Sequence, residues 1–395
     1  MKRLTIRKLF WPFISLVLVG IIGVGYYGWQ KEKLIILNDY QSLTNIRQSL
    51  DSSLASMSAQ VVTLKSEDQR IKNEKLVTEI KQINNTFKNA SIQYEEMVDL
   101  RDSGVKISKI EALFGPLLAD LSKMDYVGAT LKTATISAKI KEEKQKSLPV
   151  VGGINISNVV ESNTPPGSGF SRQKVKVNDQ FFVVDLVAAD LSNTKVIVDT
   201  ASDGDCSDNC PVLPLGTYVS RNGAIAGING SYFCPASYPT CANKKNSFDT
   251  LLMNKNKKYF NSNNNVYSTV PAVIFSGSSA RFVGQSLQWG RDTGVDAVIA
   301  NYPLLVSGKN LATGDSSDIK LSAAGNRAFI ANKGSMVYIG VVRGVSVVGA
   351  AKVLVAMGMD NALNLDSGGS TALWSGGYKY GPGRDIPNAI LFVRK

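Results

Sequence analysis

The chain has 395 residues, with 44 Lys and Arg against 32 Asp and Glu, and a net charge of +12. The basic residues form no stripe interleaved with aromatic side chains, so no nucleic-acid binding is expected. Histidine is absent, which excludes Ser-His-Asp and Cys-His catalysis and every metal site that needs imidazole.

The first predicted element is an N-terminal membrane anchor. Residues 1–8 carry four basic side chains and no acidic one, and residues 9–29 carry no charged side chain. The uncharged run is about as long as the ~20 residues that cross a bilayer core, and it is longer than the apolar region of a cleaved signal peptide. Because basic segments stay on the cytoplasmic side, we predict a cytoplasmic tail at 1–8, a single-pass transmembrane signal-anchor at 9–29 and an extracytoplasmic remainder.

Residues 31–147 are predicted to form a helical stalk. Apolar residues recur at steps of three and four from Leu43 to Leu64 and from Ile80 to Met97, which is typical of a coiled coil or a helical hairpin. A second amphipathic stretch runs from Leu117 to Ile140. Two helices that join near residues 104–116 would either fold back on each other or extend. The main interpretation is a spacer or a homo-oligomerisation stalk, and the alternative is a partner-binding helix. No catalytic chemistry is predicted in this segment.

The pattern changes after the stalk. Residues 148–170 hold clustered proline, glycine and serine, which indicate a linker. Residues 171–395 then alternate β-branched or aromatic runs with turns, and one helix is predicted at 345–357. The predicted fold class is therefore α+β, a compact mixed domain. Strands are predicted at 180–188, 195–199, 224–228, 272–275, 297–299, 328–330, 336–342, 362–365 and 389–393.

The four cysteines lie in one short region of this domain, at Cys206, Cys210, Cys234 and Cys241. An even number of clustered cysteines outside the cytoplasm is typical of disulfide bonds. Of the three pairings, we favour the local ones, 206 with 210 and 234 with 241. A four-cysteine zinc site is the alternative, although the spacing lacks the Cys-x-x-Cys knuckle of structural zinc sites.

Short segments of the same domain carry side chains suited to an anion. Asn229 follows an apolar strand, where it is either a functional amide or part of an ordinary hairpin turn. Asp366 follows another strand and precedes a glycine-rich loop, which forms either a backbone nest for an anion or a capped turn. Arg327 and Arg384 each offer a planar fork to phosphate or carboxylate.

Together, four motifs resemble the phosphodiester glycosidase (NAGPA-type) family. They are GINGSYF at 227–233, NRAFI at 326–330, GMDNALNLDSGGST at 358–371 and RDIPNAILFV at 384–393. The resemblance covers roughly residues 174–395 and no part of the anchor or stalk. It implies a hydrolase that removes a sugar from a sugar-1-phosphate diester, and for a bacterial, membrane-anchored member it implies an envelope glycan or exopolysaccharide as substrate. The alternative is a non-catalytic protein that binds polysaccharide or organises the envelope on a coiled-coil stalk.

The resemblance also leads to roles for individual residues. We expect Asp366 to act as the base for water or as the nucleophile, with Asn229 on sugar hydroxyls and Arg384 on the phosphate. We expect six residues to converge in one pocket: Asn229, Arg327, Asp366, Ser370, Thr371 and Arg384. No cofactor is assigned; aspartates and carbonyls would suit calcium, but no metal ligands are identified. The residues predicted to bind substrate are Arg327, Gly368, Gly369, Ser370, Thr371, Asn388 and Asp360.

The sequence departs from the family pattern at two places. The usual Asp-Gly-Gly-Gly-Ser-Thr is here Asp-Ser-Gly-Gly-Ser-Thr, with Ser367 at a glycine position. If that position needs a positive φ, Ser367 strains the loop by ~1 kcal/mol or more. The second departure is the cysteine-bearing insert between Cys206 and Cys241, which bears on the identity of the substrate.

Overall fold

The computed structural model describes residues 7–66, 69–102, 105–147, 159–248, 250–261, 269–316 and 318–395. The chain divides into two compact units, residues 1–81 and residues 82–395. The second unit therefore begins inside the segment predicted as a stalk. Residues 148–158 of the predicted linker lie outside the described residues. So do residues 262–265, which belong to the polar sequence NSNNN at 261–265.

The first unit is helical. Helix α1 spans Arg7–Ser66, and helix α2, Gln69–Asp102, begins in this unit. Apolar residues of the predicted stripe are exposed along α1, with Leu50 at 69% and Leu43 and Met57 at 64%. In the part of the chain that the structure describes, no helix combines the length and the apolarity that crossing a membrane requires. The anchor predicted at 9–29 is thus without support from the structure.

Three helices open the second unit. They are the end of α2, then α3 (Ser108–Ser122) and α4 (Tyr126–Ser147). They share an apolar cluster that includes Met97, Leu117 and Ile136, so these helices fold back on one another, which is one of the two predicted arrangements. Pro116 lies in the segment 104–116, where the two helices were predicted to join, but it stands inside α3 and does not end that helix. We call residues 82–147 the helical segment.

The β-rich domain, residues 159–395, contains eighteen described strands and three further helices. The helices are α5 (Leu215–Arg221), α6 (Ile319–Ser322) and α7 (Val347–Ala356). The strands are β1 (Val160–Glu161), β2 (Gly169–Val177), β3 (Gln180–Asp190), β4 (Thr194–Thr200), β5 (Ala226–Asn229), β6 (Leu252–Met253), β7 (Tyr259–Phe260), β8 (Ala272–Ser276), β9 (Ser279–Val283), β10 (Ala297–Ala300), β11 (Leu304–Ser307), β12 (Asn310–Leu311), β13 (Gly325–Lys333), β14 (Met336–Val345), β15 (Asn361–Asn364), β16 (Leu373–Ser375), β17 (Tyr378–Tyr380) and β18 (Asn388–Arg394).

These strands form three sheets. The largest has the order β1-β2-β3-β14-β13-β15-β11-β12, and the others have the orders β7-β6-β10-β8-β9 and β17-β16-β5-β18-β4. Strands β1 and β2 pair in parallel, and the other described pairs are antiparallel. All nine predicted strands and the predicted helix, α7, are present, which confirms the mixed α and β class.

One apolar core lies between the three sheets. It includes Ile330 of the largest sheet, Phe275 of the second and Phe392 of the third, all fully or almost fully buried. Because successive strand residues point to opposite faces, alternate residues such as Phe329 face outward, where α7 covers the largest sheet. The core holds the strands whose ends carry the predicted site residues.

Both predicted disulfides are present. Cys206 pairs with Cys210 and Cys234 with Cys241, at Cα separations of 5.7 and 5.4 Å. Since no cysteine is left free, the four-cysteine zinc alternative is wrong. The second disulfide closes residues 234–241 into a small loop beside the candidate site.

Candidate active site

The candidate site lies where a loop crosses between two sheets. Residues 365–372 leave β15 in the largest sheet and enter β16 in the β4–β5–β18 sheet. The backbone N–H of Asp366 donates to the carbonyl of Gly230, at 2.9 Å, just after β5. The N–H of Arg384 donates to the carbonyl of Gly369, at 2.8 Å. The first of these bonds brings together residues that are more than a hundred positions apart in the chain.

Asn229 holds this loop in place through hydrogen bonds from both ends of its side-chain amide. Its amide group donates to the carbonyl of Asp366, at 2.6 Å, and its side-chain oxygen accepts from the N–H of Ala372, at 3.1 Å. Asn229 is fully buried, and both ends of its amide are used by the backbone. Through these bonds Asn229 holds Asp366 in place, and it is not among the residues that line the cavity described below, so its predicted contact with sugar hydroxyls stays a prediction.

Asn388 has a similar structural role at the start of β18. Its oxygen accepts from the N–H of Ser231, and its amide donates to the Ser231 hydroxyl, both at 3.0 Å. A side chain at Gly230 would overlap the Asn388 oxygen, which explains the glycine in the Asn-Gly turn. Asn388 is buried with these bonds made and is not among the residues that line the cavity described below, so the substrate-binding role predicted for it stays a prediction.

The glycine-rich loop is unstrained at its unusual serine. Ser367 has φ −139°, an extended conformation, and the positive φ of the loop, +66°, falls on Gly368. A side chain at Gly369 would collide with the Arg384 guanidinium, so this glycine permits the close approach of the arginine. Thr371 is buried and its hydroxyl lies 3.4 Å from the carbonyl of Asn326, to which it donates.

Asp366 is the acidic side chain that the loop presents. Its carboxyl group accepts from the N–H of Ser367, at 2.8 Å. Burial raises the pKa of Asp366 to about 7, against the lowering effects of a hydrogen bond with Ser370 and of the nearby Arg384 charge. At neutral pH the carboxyl group is therefore close to its midpoint between acid and base, as a general acid or base requires.

Arg384 lies against the same loop, and its side chain is only 10% exposed. The guanidinium contacts the carboxylates of Asp99 and Asp102 in α2, the latter at 3.1 Å, and lies 5.1 Å from the centre of the Tyr238 ring. Burial alone would lower the pKa of Arg384, but Asp99, Tyr238 and Asp102 raise it above its ordinary value. The guanidinium is therefore charged at every accessible pH.

Arg327 is buried and holds a turn rather than presenting an open fork. Its Nε donates to the carbonyl of Val345, at 3.2 Å, and one Nη donates to the carbonyls of Lys320, at 2.9 Å, and Ala323. Burial lowers its pKa. Arg327 thus fixes α6 and the residue after it beside the cavity.

A cavity of about 300 Å³ lies between the loop and the helical segment. Of the predicted residues, Arg327, Asp366, Gly368, Ser370 and Arg384 line it. Of the six residues predicted to converge, Arg327, Asp366, Ser370 and Arg384 therefore line the cavity, whereas Asn229 and Thr371 do not. The aromatic rings of Tyr232 and Tyr302, whose centres are 5.0 Å apart, also line the cavity.

Asp360 is not among the residues that line the cavity, and the substrate-binding role predicted for it stays a prediction. It precedes β15, whereas Asp366 follows that strand, and six extended residues span roughly 20 Å. The Asp360 carboxylate accepts from the N–H of Gly334, at 2.7 Å, and pairs with Lys309, at 3.6 Å. These contacts are those of a turn.

Several residues of the cavity were missed from sequence. The helical segment supplies one wall through Glu96, Asp99, Leu100 and Lys144, and the disulfide loop 234–241 supplies Tyr238. No short motif marks any of them. The cysteine pair was the one available signal, since it indicated a small closed loop next to the GINGSYF motif.

The described ranges contain no group of three or more Asp, Glu, Cys or His residues placed to hold a metal ion. The calcium ion considered from the sequence therefore has no identified ligands there.

Comparisons with known proteins agree with the motifs. Residues 222–393 match the family model described as phosphodiester glycosidase. No curated protein matches the chain. Similar solved structures include a hypothetical protein from Synechocystis (15% identity, TM-score 0.38, covering 57% of this chain and 62% of that one). The chain thus spans less than two thirds of that protein.

Two further structures show the same low level of likeness. One is the catalytic domain of zebrafish N-acetylglucosamine-1-phosphodiester alpha-N-acetylglucosaminidase, auto-inhibited by pro-peptide (12% identity, TM-score 0.44, 60% of this chain and 87% of that one). The other is a putative exported protein from Burkholderia pseudomallei (10% identity, TM-score 0.36, covering 54% of this chain and 74% of that one). Residues 222–393 thus match the phosphodiester glycosidase family that the sequence motifs indicated.

Proposed function

We propose that the β-rich domain is a hydrolase that cleaves sugar-1-phosphodiester linkages. One observation carries the proposal: a buried carboxyl group with a pKa of about 7 lines a cavity of about 300 Å³ together with a charged arginine and a glycine-rich loop. Such a cavity can hold a sugar ring and its phosphate. The family of the domain supports the same reaction class.

In the proposed reaction, the bond between the anomeric carbon and the phosphate oxygen breaks. Asp366, as a carboxylate, takes a proton from the water that attacks this carbon, or it attacks the carbon itself and forms a glycosyl ester that water then hydrolyses to free sugar and the carboxylate. The bonding electrons pass to the phosphate oxygen, where the Arg384 charge and the amides of the 367–370 loop stabilise them. A phosphate monoester leaves readily, so protonation of the leaving group is less important.

The proposed location is outside the cytoplasm, with an envelope glycan or exopolysaccharide as the substrate. Two disulfides support this location, because disulfides persist mainly in oxidising compartments. The substrate assignment rests on what the family resemblance implies for bacterial members.

The proposed function is tested by incubating the full chain with a panel of sugar-1-phosphodiesters and measuring the release of free sugar. Replacing Asp366 with Asn keeps the size and removes the base, so turnover should fall by about 10²–10⁴-fold. Asp360→Asn is the matched control, since Asp360 lies at the other end of β15, and it should keep full turnover. Equal turnover of Asp366→Asn and the native chain would instead favour the glycan-binding alternative.

We also propose that α1 pairs with a second copy of the chain. Leu43, Leu50, Met57 and Leu64 recur at intervals of seven, and each is at least 64% exposed. A strict seven-residue apolar repeat is typical of one seam of a coiled coil. Pairing of two such helices would remove this apolar surface from water.

A further inference from the structure

Acidic residues of α2 face basic residues of the β-rich domain across the cavity. Glu95 contacts Lys320, at 3.1 Å, and the hydroxyl of Thr240. One turn further along α2, Asp99 contacts the Arg384 guanidinium, and Asp102 lies 3.1 Å from it. The four- and three-residue spacings place these three carboxylates on one face of the helix.

Asp99 lies where the glycine-rich loop and Arg384 would receive an anion. Its Oδ1 accepts from the Arg384 guanidinium and from the Tyr238 hydroxyl, the latter at 2.5 Å. On the loop side, its Oδ2 would be 3.4 Å from a Cβ placed on Gly368. A carboxylate of the chain itself therefore occupies the position that the proposed function gives to the phosphate.

The carboxylates satisfy Arg384 only in part. Both of them contact its Nη2, whereas its buried Nε has no hydrogen-bond partner among the described residues. A buried donor without a partner is unfavourable. Two oxygens of one phosphate group match the fork of a guanidinium and can engage two of its N–H groups at once. Arg384 is thus able to bind a phosphate more completely than it binds Asp99 and Asp102.

The helical segment does not depend on these contacts for its own packing. Its apolar cluster is built from residues of α2, α3 and α4 and of the turns between them, such as Met97, Ile110 and Ile140. The contacts of Glu95 with Thr240 and Lys320 and of Asp99 with Arg384, which join the helical segment to the cavity rim, are polar and charged. Polar interfaces of this kind within a chain permit relative movement of the parts that they join.

We propose that Asp99 and Asp102 occupy the phosphate position of the site, so that a phosphate group and the helical segment compete for Arg384. The proposal rests on the proposed function for the identity of the ligand. In the state described here the site is closed by α2, and binding of a phosphate group releases the end of α2 from Arg384 while α2, α3 and α4 stay packed together.

The test measures binding of inorganic phosphate to the full chain by calorimetry. Removing both charges with Asp99→Asn and Asp102→Asn should tighten phosphate binding at least tenfold, because the internal competitor is weakened. Glu142→Gln with Glu143→Gln is the matched control: it removes two charges from the helical segment at residues that pair with Lys139 and Lys146. The control should bind phosphate as the native chain does.

A second measurement needs no variant. Hydrogen exchange of the native chain should become faster for the amides of residues 95–102 when phosphate is saturating, because this end of α2 loses its contacts. Unchanged or weaker phosphate binding by the Asp99 and Asp102 variant, no phosphate binding by any of the proteins, or slower exchange in α2 would each overturn the proposal.

These results are separable from the proposed function, since neither measurement needs turnover. Hydrolysis of a sugar phosphodiester without competition at Arg384 would overturn only this inference. Competition at Arg384 without hydrolysis of any member of the panel would support the inference and leave the site as an anion-binding one.

Discussion

The β-rich domain and the helical segment contribute to the same cavity in different ways. The domain supplies Asp366 and the glycine-rich loop, which sit at strand ends held by a core of three sheets. The helical segment supplies charge from one face of α2, through Asp99 and Asp102. The contribution of the β-rich domain follows from its own backbone. The contribution of the helical segment depends on its contacts with the β-rich domain, because the two parts pack separately. The comparison therefore separates the residues that we propose to perform chemistry from those that we propose to control access to it.

The largest effect expected within the domain is a pH-dependent change in stability on replacing Asp366 with Asn. The folded pKa of about 7 lies above the ordinary value of 3.8, so the folded chain holds this proton more tightly than the unfolded chain. Stability of the native chain should therefore fall as pH rises from about 4 to about 7. The variant has no carboxyl group to titrate there. Its free energy of unfolding should therefore rise by roughly 3–4 kcal/mol relative to that of the native chain over that range.

Urea unfolding of both proteins at pH 4 and pH 8 measures this difference. Asp360→Asn is the control, and its stability relative to the native chain should change little between the two pH values. A pH-independent difference for Asp366→Asn would mean that the carboxyl group is not buried as described.

The support beneath the loop gives the next effect. Asn229→Ala removes both hydrogen bonds of the amide and leaves the Asp366 carbonyl and the Ala372 N–H buried without these partners. We expect a loss of about 2–3 kcal/mol in the free energy of unfolding, measured by urea denaturation. Asn310→Ala, at an exposed position, should change it by less than about 0.5 kcal/mol. Native stability together with weakened sugar binding would support the predicted contact of Asn229 with sugar hydroxyls.

The anion side of the cavity should show a smaller effect. Arg384→Lys keeps the positive charge but loses the planar fork. We expect KM for a sugar phosphodiester to rise about tenfold, or about 1.4 kcal/mol, in steady-state kinetics. Arg281→Lys, which alters an exposed arginine, is the control. An unchanged KM for Arg384→Lys would place the phosphate elsewhere in the cavity.

The first unit should have no effect on the cavity. Leu50→Glu with Met57→Glu places charges on the proposed seam of α1 and should convert a dimer into a monomer, as measured by light scattering, with unchanged turnover. Ser52→Glu with Ala59→Glu adds the same charges two residues after each seam position and should leave the dimer intact. A native chain that is already monomeric would contradict the pairing.

The sequence predicted the β-rich domain better than the helical segment for a physical reason. Strand alternation and glycine motifs reflect local backbone geometry, so β13, α7 and the 366–371 loop could be identified from short stretches. The positive φ needed by the loop falls on Gly368, not at 367, and a pattern of residue types does not give this detail. Strands of two or three residues, such as β6 and β17, are too short to show any alternation.

The helical segment shows where such prediction ends. Its apolar spacing identified the face of α2 that packs against α3 and α4. Asp99 and Asp102 have the residue type and position of a solvated surface, and nothing local reveals that they meet Arg384, more than 280 positions away. Tyr238 lies in the disulfide loop and has no motif of its own. Contacts between separately packed parts follow from complementary surfaces, which periodicity does not encode.

The most direct test of the account is the pH dependence of kcat/KM for a sugar-1-phosphodiester, measured on the full chain between pH 5 and pH 9. If Asp366 is the base, its carboxylate form is required. The value should therefore rise with pH, pass its midpoint near pH 7, and level off above it. A profile that is flat across this range, or a midpoint near pH 7 that persists in the residual activity of Asp366→Asn, would contradict the account.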